Sequence, residues 1–386
     1  MKIVALFSVL LAATTAQAQV KGKPFGFAAG VTGGGNAKPA APGSLQELAQ
    51  WLSDSVPRTI LIDREWNFLG TEGKTSQKCC STKTTTCEGG TSKGQAWIQD
   101  QCDGQWIPCT FDNAPRTPID VGSNKSLLGV GTKGVIRGKG LRVTNGNKNV
   151  IIQNIHFTDL NPQYVWGGDA ITLTDCDQIW IDHNKFSLIG REHIVSGWKP
   201  AGHVTISNND FDGRTPWSVG CNGKHYWTLL LIGEKDYYTF AGNWVHDVSG
   251  RAPHMGTSKT SSENFFHGVN NYFQNIGGHA FDVDDNTWLL LEGNAFDSVT
   301  TPITDTTLKS GAAVYNVPDP SAGSGCNQAI GRNCEVNQVS KSGQFPPLTE
   351  ASVLQKAGSY KSSLPPFTPV ADVPKSVMGY AGIGRI

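Results

Sequence analysis

Ile179-Trp180-Ile181-Asp182-His183-Asn184-Lys185-Phe186 decides the fold, because its pattern recurs along the chain. Aligned on its aromatic end, the pattern returns at residues 150–157, 179–186, 204–211, 238–245, 266–273 and 289–296. Each run mixes β-branched and aromatic residues between Gly, Asn and Asp turns and ends on an apolar residue. Five carry an asparagine two positions before that end: Asn184, Asn209, Asn243, Asn271 and Asn294. The first copy departs, with Ile155 in that place. The end residues fall 29, 25, 34, 28 and 23 positions apart, a loose period in the range of repeat architectures. Helical repeats need sustained 3.6-residue periodicity, which these runs lack. A parallel β-helix accounts for both features. Equivalent positions on successive coils stack about 4.8 Å apart, so amide side chains can form a ladder at a tight turn and rings can stack inside. Turn loops lengthen without breaking the stack, so the period varies.

Working outward, the 386 residues read as one elongated domain, since the repeat runs through the middle without a linker. Charged residues make up only 17% and the formal net charge is zero, which removes the basic field expected of a nucleic-acid binder. Lys2, an apolar run over 3–12 and Ala16-Gln17-Ala18 form a secretory leader, so residues 1–18 are expected to be removed and 19–386 to be extracellular. No later run is long enough to span a bilayer.

Nine cysteines in a secreted chain predict disulfides and at least one spare thiol. Cys326 and Cys334 bracket a short loop and form the safest pair. Cys79, Cys80, Cys87, Cys102 and Cys109 crowd one region. Disulfides involving Cys80 and Cys102 are expected there, with the pairing among Cys79, Cys80, Cys102 and Cys109 open; the spacing fits no zinc pattern. Cys176, in the turn before a repeat strand, is the expected free thiol.

Residues 26–39 are glycine-rich and not expected to be helical. Ser44-Leu45-Gln46-Glu47 is a capping box that opens a short helix through Leu48 and Leu52, placed to cap an open coil end. Residues 59–62 start the strands. An excursion over 70–118, with its cysteines and tryptophans at 79–118, has too little apolar periodicity for a core of its own and is expected to be held against the coil by disulfides. The coil resumes near 126 and continues to about 299. The Pro-, Ser- and Gly-rich stretch 316–386 reads as a tail laid along the coil. Asn124-Lys125-Ser126 is a glycosylation sequon directly before a strand.

Three charged clusters stand outside the repeat positions: Trp166-Gly167-Gly168-Asp169-Ala170, Ile189-Gly190-Arg191-Glu192-His193 and Ser249-Gly250-Arg251-Ala252-Pro253-His254. Their offsets from the repeat place them together on one lateral face, where loops on a rigid scaffold carry function. Eleven tryptophans add flat faces that suit sugar rings. Asp182-His183 lies within a repeat and reads as structural. Asp282, Asp284 and Asp285 read as a surface turn.

Trp166-Gly167-Gly168-Asp169-Ala170-Ile171, Trp180-Ile181-Asp182-His183 and Gly250-Arg251-Ala252-Pro253 together resemble the pectate lyase superfamily, polysaccharide lyase family 1, and within it the fungal-type secreted pectin lyases. The likeness runs from about Phe25 to Tyr315. It implies an all-β, single-domain, right-handed parallel β-helix with a short N-terminal capping helix, a disulfide-rich lateral lobe and a C-terminal tail along the coil. It also implies β-elimination on galacturonan, leaving a 4,5-unsaturated uronate. A base must take the C5 proton while positive charge stabilises the enolate-like oxygen.

The resemblance gives the base role to Arg251, although free arginine has a pKa above 12. Calcium-dependent relatives gather carboxylates on this face. Asp169 matches the first such position, but Arg191 and Val195 stand where further acids would be. Arg191 is therefore expected to pair with Asp169 and replace the metal's charge, which implies methyl-esterified pectin as substrate and no metal cofactor. No nucleic-acid or membrane partner is expected, and the protein is expected to be a monomer. Carried-over substrate contacts are Trp166, Tyr226 and Trp227, with Trp97 and Trp106 in the lobe. Cys87 and Cys221 correspond to a bridge that pins the lobe. His254 stands where the family commonly has Lys or Arg and is expected to give binding a mild pH dependence. The competing readings are a calcium-dependent pectate lyase, a β-helical hydrolase with paired carboxylates, for which no acidic pair is evident, and a non-catalytic polysaccharide-binding β-helix.

Overall fold

The computed structural model describes residues 19–82, 86–88, 92–256 and 263–386; the secretory leader read at 1–18 lies outside them. Three stacked sheets form the coil walls. The first has nine strands, from Arg58–Ile62 to Ala313–Tyr315; the second nine, from Glu65–Asn67 to Gln338–Ser340; the third eight, from Ile119–Asp120 to Thr301–Ile303. Each coil but the last supplies one strand to each sheet, and successive coils pair in parallel, as the strands from Asn147–Gln153 to Gly202–Ser207 do. This is a parallel β-helix.

The recurring sequence unit is a strand, a tight turn and the start of the next strand. Its first positions stack in register as Val150, Ile179, Val204, Tyr238, Phe266 and Leu289 in the first sheet. Its last positions stack as Phe157, Phe186, Phe211, Val245, Phe273 and Phe296 in the second. All are buried, and the rings of Phe186 and Phe211 lie 5.1 Å apart and nearly parallel. Each buried ring contributes roughly 2–3 kcal/mol.

The turn between them needs one left-handed residue, supplied by Asn154, His183, Asn208, Gly242, Asn270 and Gly293, all at φ of 51–65°. Asparagine and glycine tolerate that conformation. The next residue is the ladder asparagine. Asn184, Asn209, Asn243 and Asn271 each donate their backbone N–H to the next asparagine's Oδ1 at 2.9–3.0 Å. Ile155, the exception, still donates to Asn184 at 3.0 Å, and the ladder runs one step further to Asn337. The amides of Asn184, Asn209, Asn243, Asn271 and Asn294 are fully buried and satisfied. Asn243→Ala orphans donors on its neighbour and is expected to cost about 3 kcal/mol, read as a fall in thermal unfolding temperature without loss of β-sheet signal.

The open N-terminal end is covered by the helix Leu45–Ser53. Ser44 Oγ accepts from the Glu47 N–H at 3.1 Å, Glu47 accepts from the Gly43 N–H, and Leu48 and Leu52 are fully buried. Residues 26–39 hold one short 3-10 turn, Gly26–Ala28, laid on the first sheet. Gly26 sits at φ +63°, where a Cβ would meet Thr239 Oγ1 at 2.3 Å.

The coil runs past 299, and the stretch read as a tail along the coil holds regular elements of its own. It carries the helices Pro320–Ile330, Ala351–Ser359 and Val373–Tyr380 and the last strand of the second sheet, Gln338–Ser340. Asp319 caps the first helix, with Pro320 at its first position. Arg332 clamps this segment to the coil through the fully buried Glu292, which also accepts from His267 Nε2 at 2.7 Å. Desolvation opposes ionisation of Glu292, yet Arg332 and His267 hold its carboxyl down at about 2. Because this is below the unfolded carboxyl's value of about 4.3, the stabilisation is present above pH ~4 and lost as pH falls towards 2. Arg332→Ala is expected to remove that dependence, checked by acid titration of unfolding.

The lateral lobe also departs from expectation. Lys74–Ser81 and Gln105–Asp112 pair antiparallel, and Ala96–Trp97 and Tyr164–Val165 complete a four-stranded sheet. A small core of its own forms around Cys79, Ala96, Ile98, Cys109 and Phe111. The half-cystines supply the apolar contacts that the sequence pattern lacked. The disulfides are Cys79–Cys109, Cys80–Cys102, Cys87–Cys221 and Cys326–Cys334. Cys176 is free and buried, and begins a first-sheet strand rather than sitting before it; burial pushes its thiol up. In the sequon, Lys125 and Ser126 are buried. Among the described residues no helix is long and apolar enough to cross a membrane.

Candidate active site

The turns that lead from the second sheet into the third carry the charged clusters, and the strand register stacks them. Ile171 lies against Ile194 and Ile194 against Leu229, while Leu230 lies against His254 and His254 against Asp282. Backbone bonds link the turns themselves: Ala170 N–H to Glu192 O at 3.0 Å, His193 N–H to Trp227 O at 3.3 Å and Leu229 N–H to Arg251 O at 2.7 Å. Asp169, Arg191, Trp227 and Arg251 thus sit on successive coils of one face.

Arg191 lies with its guanidinium carbon 3.8 Å from the centre of the Trp166 ring. Its Nη1 is 3.5 Å from Asp169 Oδ2, a long contact, so the expected Arg191–Asp169 pair exists but the stack on Trp166 is the closer constraint. Asp169 Oδ1 accepts the Glu192 N–H at 2.8 Å. Desolvation pushes the Asp169 carboxyl up, opposed by Arg191. A pocket of ≈ 200 Å³ opens between Trp166, Asp169, Thr172, Arg191 and the lobe's Pro115 and Arg116.

Arg251 adopts φ +47° and stacks 4.6 Å from the Trp227 ring centre. Its backbone N–H donates to His279 Nε2 at 3.1 Å, which makes His279 the Nδ1–H tautomer; burial holds that imidazole down. Trp227 is fixed from the lobe side, donating to Gln95 Oε1 at 3.1 Å and meeting Trp97 edge-on at 5.5 Å. Tyr226 packs edge-on to both Trp227 and His279. A larger cavity of ≈ 490 Å³ lies on the lobe beyond Trp97, lined by Gln99, Gln101 and Asp103. Trp106 is exposed on the lobe hairpin, with no ring contact to the Trp97–Trp227 pair among the described residues. The Cys87–Cys221 bridge ties the lobe to the loop that carries Tyr226 and Trp227.

Three residues escaped the sequence reading. Glu192, beside Arg191, is fully buried and its Oε1 accepts from Arg251 Nη1 at 2.5 Å. Asp282 is not in a surface turn: it lies in the third-sheet strand His279–Val283, accepting from His254 Nδ1 at 2.9 Å and Thr304 Oγ1 at 2.7 Å. The His254 contact holds the Asp282 carboxyl down at about 2. Neither Gln95 nor Glu192 carries a sequence signal of its role. Asp182 and His183 bond each other, Gln153, Ser207 and Asn208 in the turn between the first and second sheets, away from this face.

Arginines, carboxylates and indoles are thus stacked on one flank of a parallel β-helix. The chain belongs to the pectate lyase family, whose model matches residues 2–385. It is 67% identical over 379 residues to "Probable pectin lyase F" of Neosartorya fischeri, covering 98% of each chain, and 66% identical over 384 residues to "Probable pectin lyase E" of Aspergillus fumigatus, covering 99% of each. Its fold matches a pectate lyase from Bacillus sp. N165 in complex with trigalacturonate at a TM-score of 0.57 and 19% identity, covering 94% of this chain and 99% of that one.

Calcium does not fit this donor set. Both Asp169 oxygens are engaged, by Arg191 and by the Glu192 N–H, and Glu192 Oε1 is engaged by Arg251. A divalent cation here would meet two fixed guanidinium charges. The carboxylate and imidazole group formed by Asp212, His246 and Asp247 lies on the second sheet instead, where Lys185 and Arg214 already neutralise Asp212.

Proposed function

We propose that the protein is a secreted pectin lyase that cleaves methyl-esterified homogalacturonan by β-elimination, without calcium, within the chain rather than from its ends, and acts as a monomer. The relatives named above, both called probable pectin lyases, support the substrate class. The observation that carries the reading is Arg191 held flat on Trp166 between Asp169 and Glu192. A guanidinium there supplies the positive charge that the enolate oxygen needs, and an uncharged ester asks for no counter-ion.

In this reading Arg251 takes the C5 proton. The C5–H electrons form the C4=C5 double bond, and O4 leaves with the electrons of the C4–O bond. Trp166 and Tyr226 offer faces to the sugar rings, whereas Trp227, read from the sequence as a further contact, is buried with Arg251 across its ring and backs the site; Trp97 extends the surface into the lobe, with Trp106 reserved for a more distant ring. His254, paired with Asp282, contacts the next residue of the polymer. Mass spectrometry of the products tests the chemistry. Elimination yields fragments whose masses sum to that of the substrate; fragments heavier by one water would mean hydrolysis and reject the proposal.

A further inference from the structure

We propose that Glu192 is a positioning residue that limits the pH range over which Arg251 serves as base: neutral, it holds the guanidinium through one hydrogen bond, and ionised, it locks the guanidinium in its protonated form. This rests on the reading of Arg251 given above.

The geometry is unusual for a carboxylate. Glu192 is completely buried beneath the charged face, and Oε1 accepts from Arg251 Nη1 at 2.5 Å while Oε2 has no hydrogen-bond partner among the described residues. Arg191 Nη2 stands 3.9 Å from Oε1. An ionised oxygen without a donor in a dry site is costly, whereas a protonated one is tolerated. The groups that face the pair are Arg191 from its own turn, Asp169 from the preceding coil, Tyr226 from the following one and His279 behind Arg251. Burial pushes the Glu192 carboxyl up to about 7, with the two arginines opposing and Asp169 assisting.

The sign follows from linkage. A carboxylate beside a guanidinium favours the guanidinium's charged form. While Glu192 is neutral, the fraction of Arg251 free to take a proton rises tenfold per pH unit. Once Glu192 ionises, the proton lost is the carboxyl's, and the gain levels off. A glutamine at 192 keeps the size and the accepting oxygen but never acquires the counter-charge. The raised carboxyl also has a stability consequence. A folded-state value above the unfolded one gives stability that is complete below pH ~4 and lost as pH rises through about 7.

The test compares Glu192→Gln with the parent by kcat and KM on highly methylated pectin from about pH 5 to about pH 9, and by unfolding temperature over the same range. The expected result is equal kcat within about threefold at pH 5–6, a parent profile that bends near 7, and a variant at least about tenfold faster than the parent at pH 9 with KM little changed. The variant's unfolding temperature should gain on the parent's between pH 5 and 8. A kcat ratio independent of pH, or a variant that loses activity throughout, overturns the inference, as does a parent whose unfolding temperature keeps the same margin over the variant at both pH values. A parent that is inactive on methylated pectin rejects the proposed function instead, and the unfolding comparison then still decides whether Glu192 carries the charge switch. Should Glu192→Gln not fold, Glu192→Asp decides by its pH profile: retention of the bend supports the switch and a straight profile rejects it.

Discussion

Arg251→Gln is expected to lower kcat on methyl-esterified pectin by about 10³–10⁴, the full effect of losing a positioned base, with KM changed little. The argument is geometric. Arg251 is the charged group of this face held from three sides: by the Trp227 ring, by Glu192 Oε1 and, through its own backbone N–H, by His279. Its side chain remains 22% exposed, enough to reach a bound polymer. Glutamine keeps a polar end over Trp227 but offers no basic nitrogen. Glu192 then loses the cation that most favours its ionisation and stays neutral to higher pH, so the fold should survive. Steady-state kinetics with a thermal unfolding control checks this, and activity within tenfold of the parent would remove Arg251 from the reaction.

Arg191→Gln is expected to cost about 10²–10³ in kcat, the range for losing one oxyanion-stabilising donor. Its contacts to Asp169 and Glu192, at 3.5 and 3.9 Å, are long for ion pairs, while the stack on Trp166 is close. The guanidinium is therefore oriented but not neutralised by a tight bidentate partner, and its charge remains available to a developing enolate. Without it, Asp169 and Glu192 face each other with less cationic screening, and added calcium should not restore activity, because the Arg251 guanidinium still stands against Glu192 and repels a second cation beside it. Kinetics of the variant with and without calcium tests this. Recovery in calcium would mean that the carboxylates form a metal site once the arginine is gone.

The coil was legible in the sequence because its stack repeats in one dimension. Phe186 and Asn184 recur by type, and the strand register follows from that recurrence alone. Asn337 extends the ladder but follows Asn294 by 43 residues, through two helices and a disulfide loop, so no period reveals it. The lobe core was hidden for a different reason: its apolar contacts come from disulfide sulfurs and from Tyr164, contributed by a distant coil loop. At the site, Arg191 and Arg251 stood out by motif. Glu192 did not, since a glutamate beside an arginine usually faces water, and only the turn geometry puts it under the second arginine. Asp282 looked like a turn because it clusters with Asp284 and Asp285, whereas strand pairing places it beside His254.

Ultraviolet absorbance of the unsaturated uronate tests the central claim most directly, followed for the parent protein on highly methylated pectin and on polygalacturonate, each in calcium and in EDTA. Rapid signal on methylated pectin that EDTA leaves intact is the predicted result. Signal confined to polygalacturonate with calcium would contradict the account, because it would require a metal where Arg191 and Arg251 now stand.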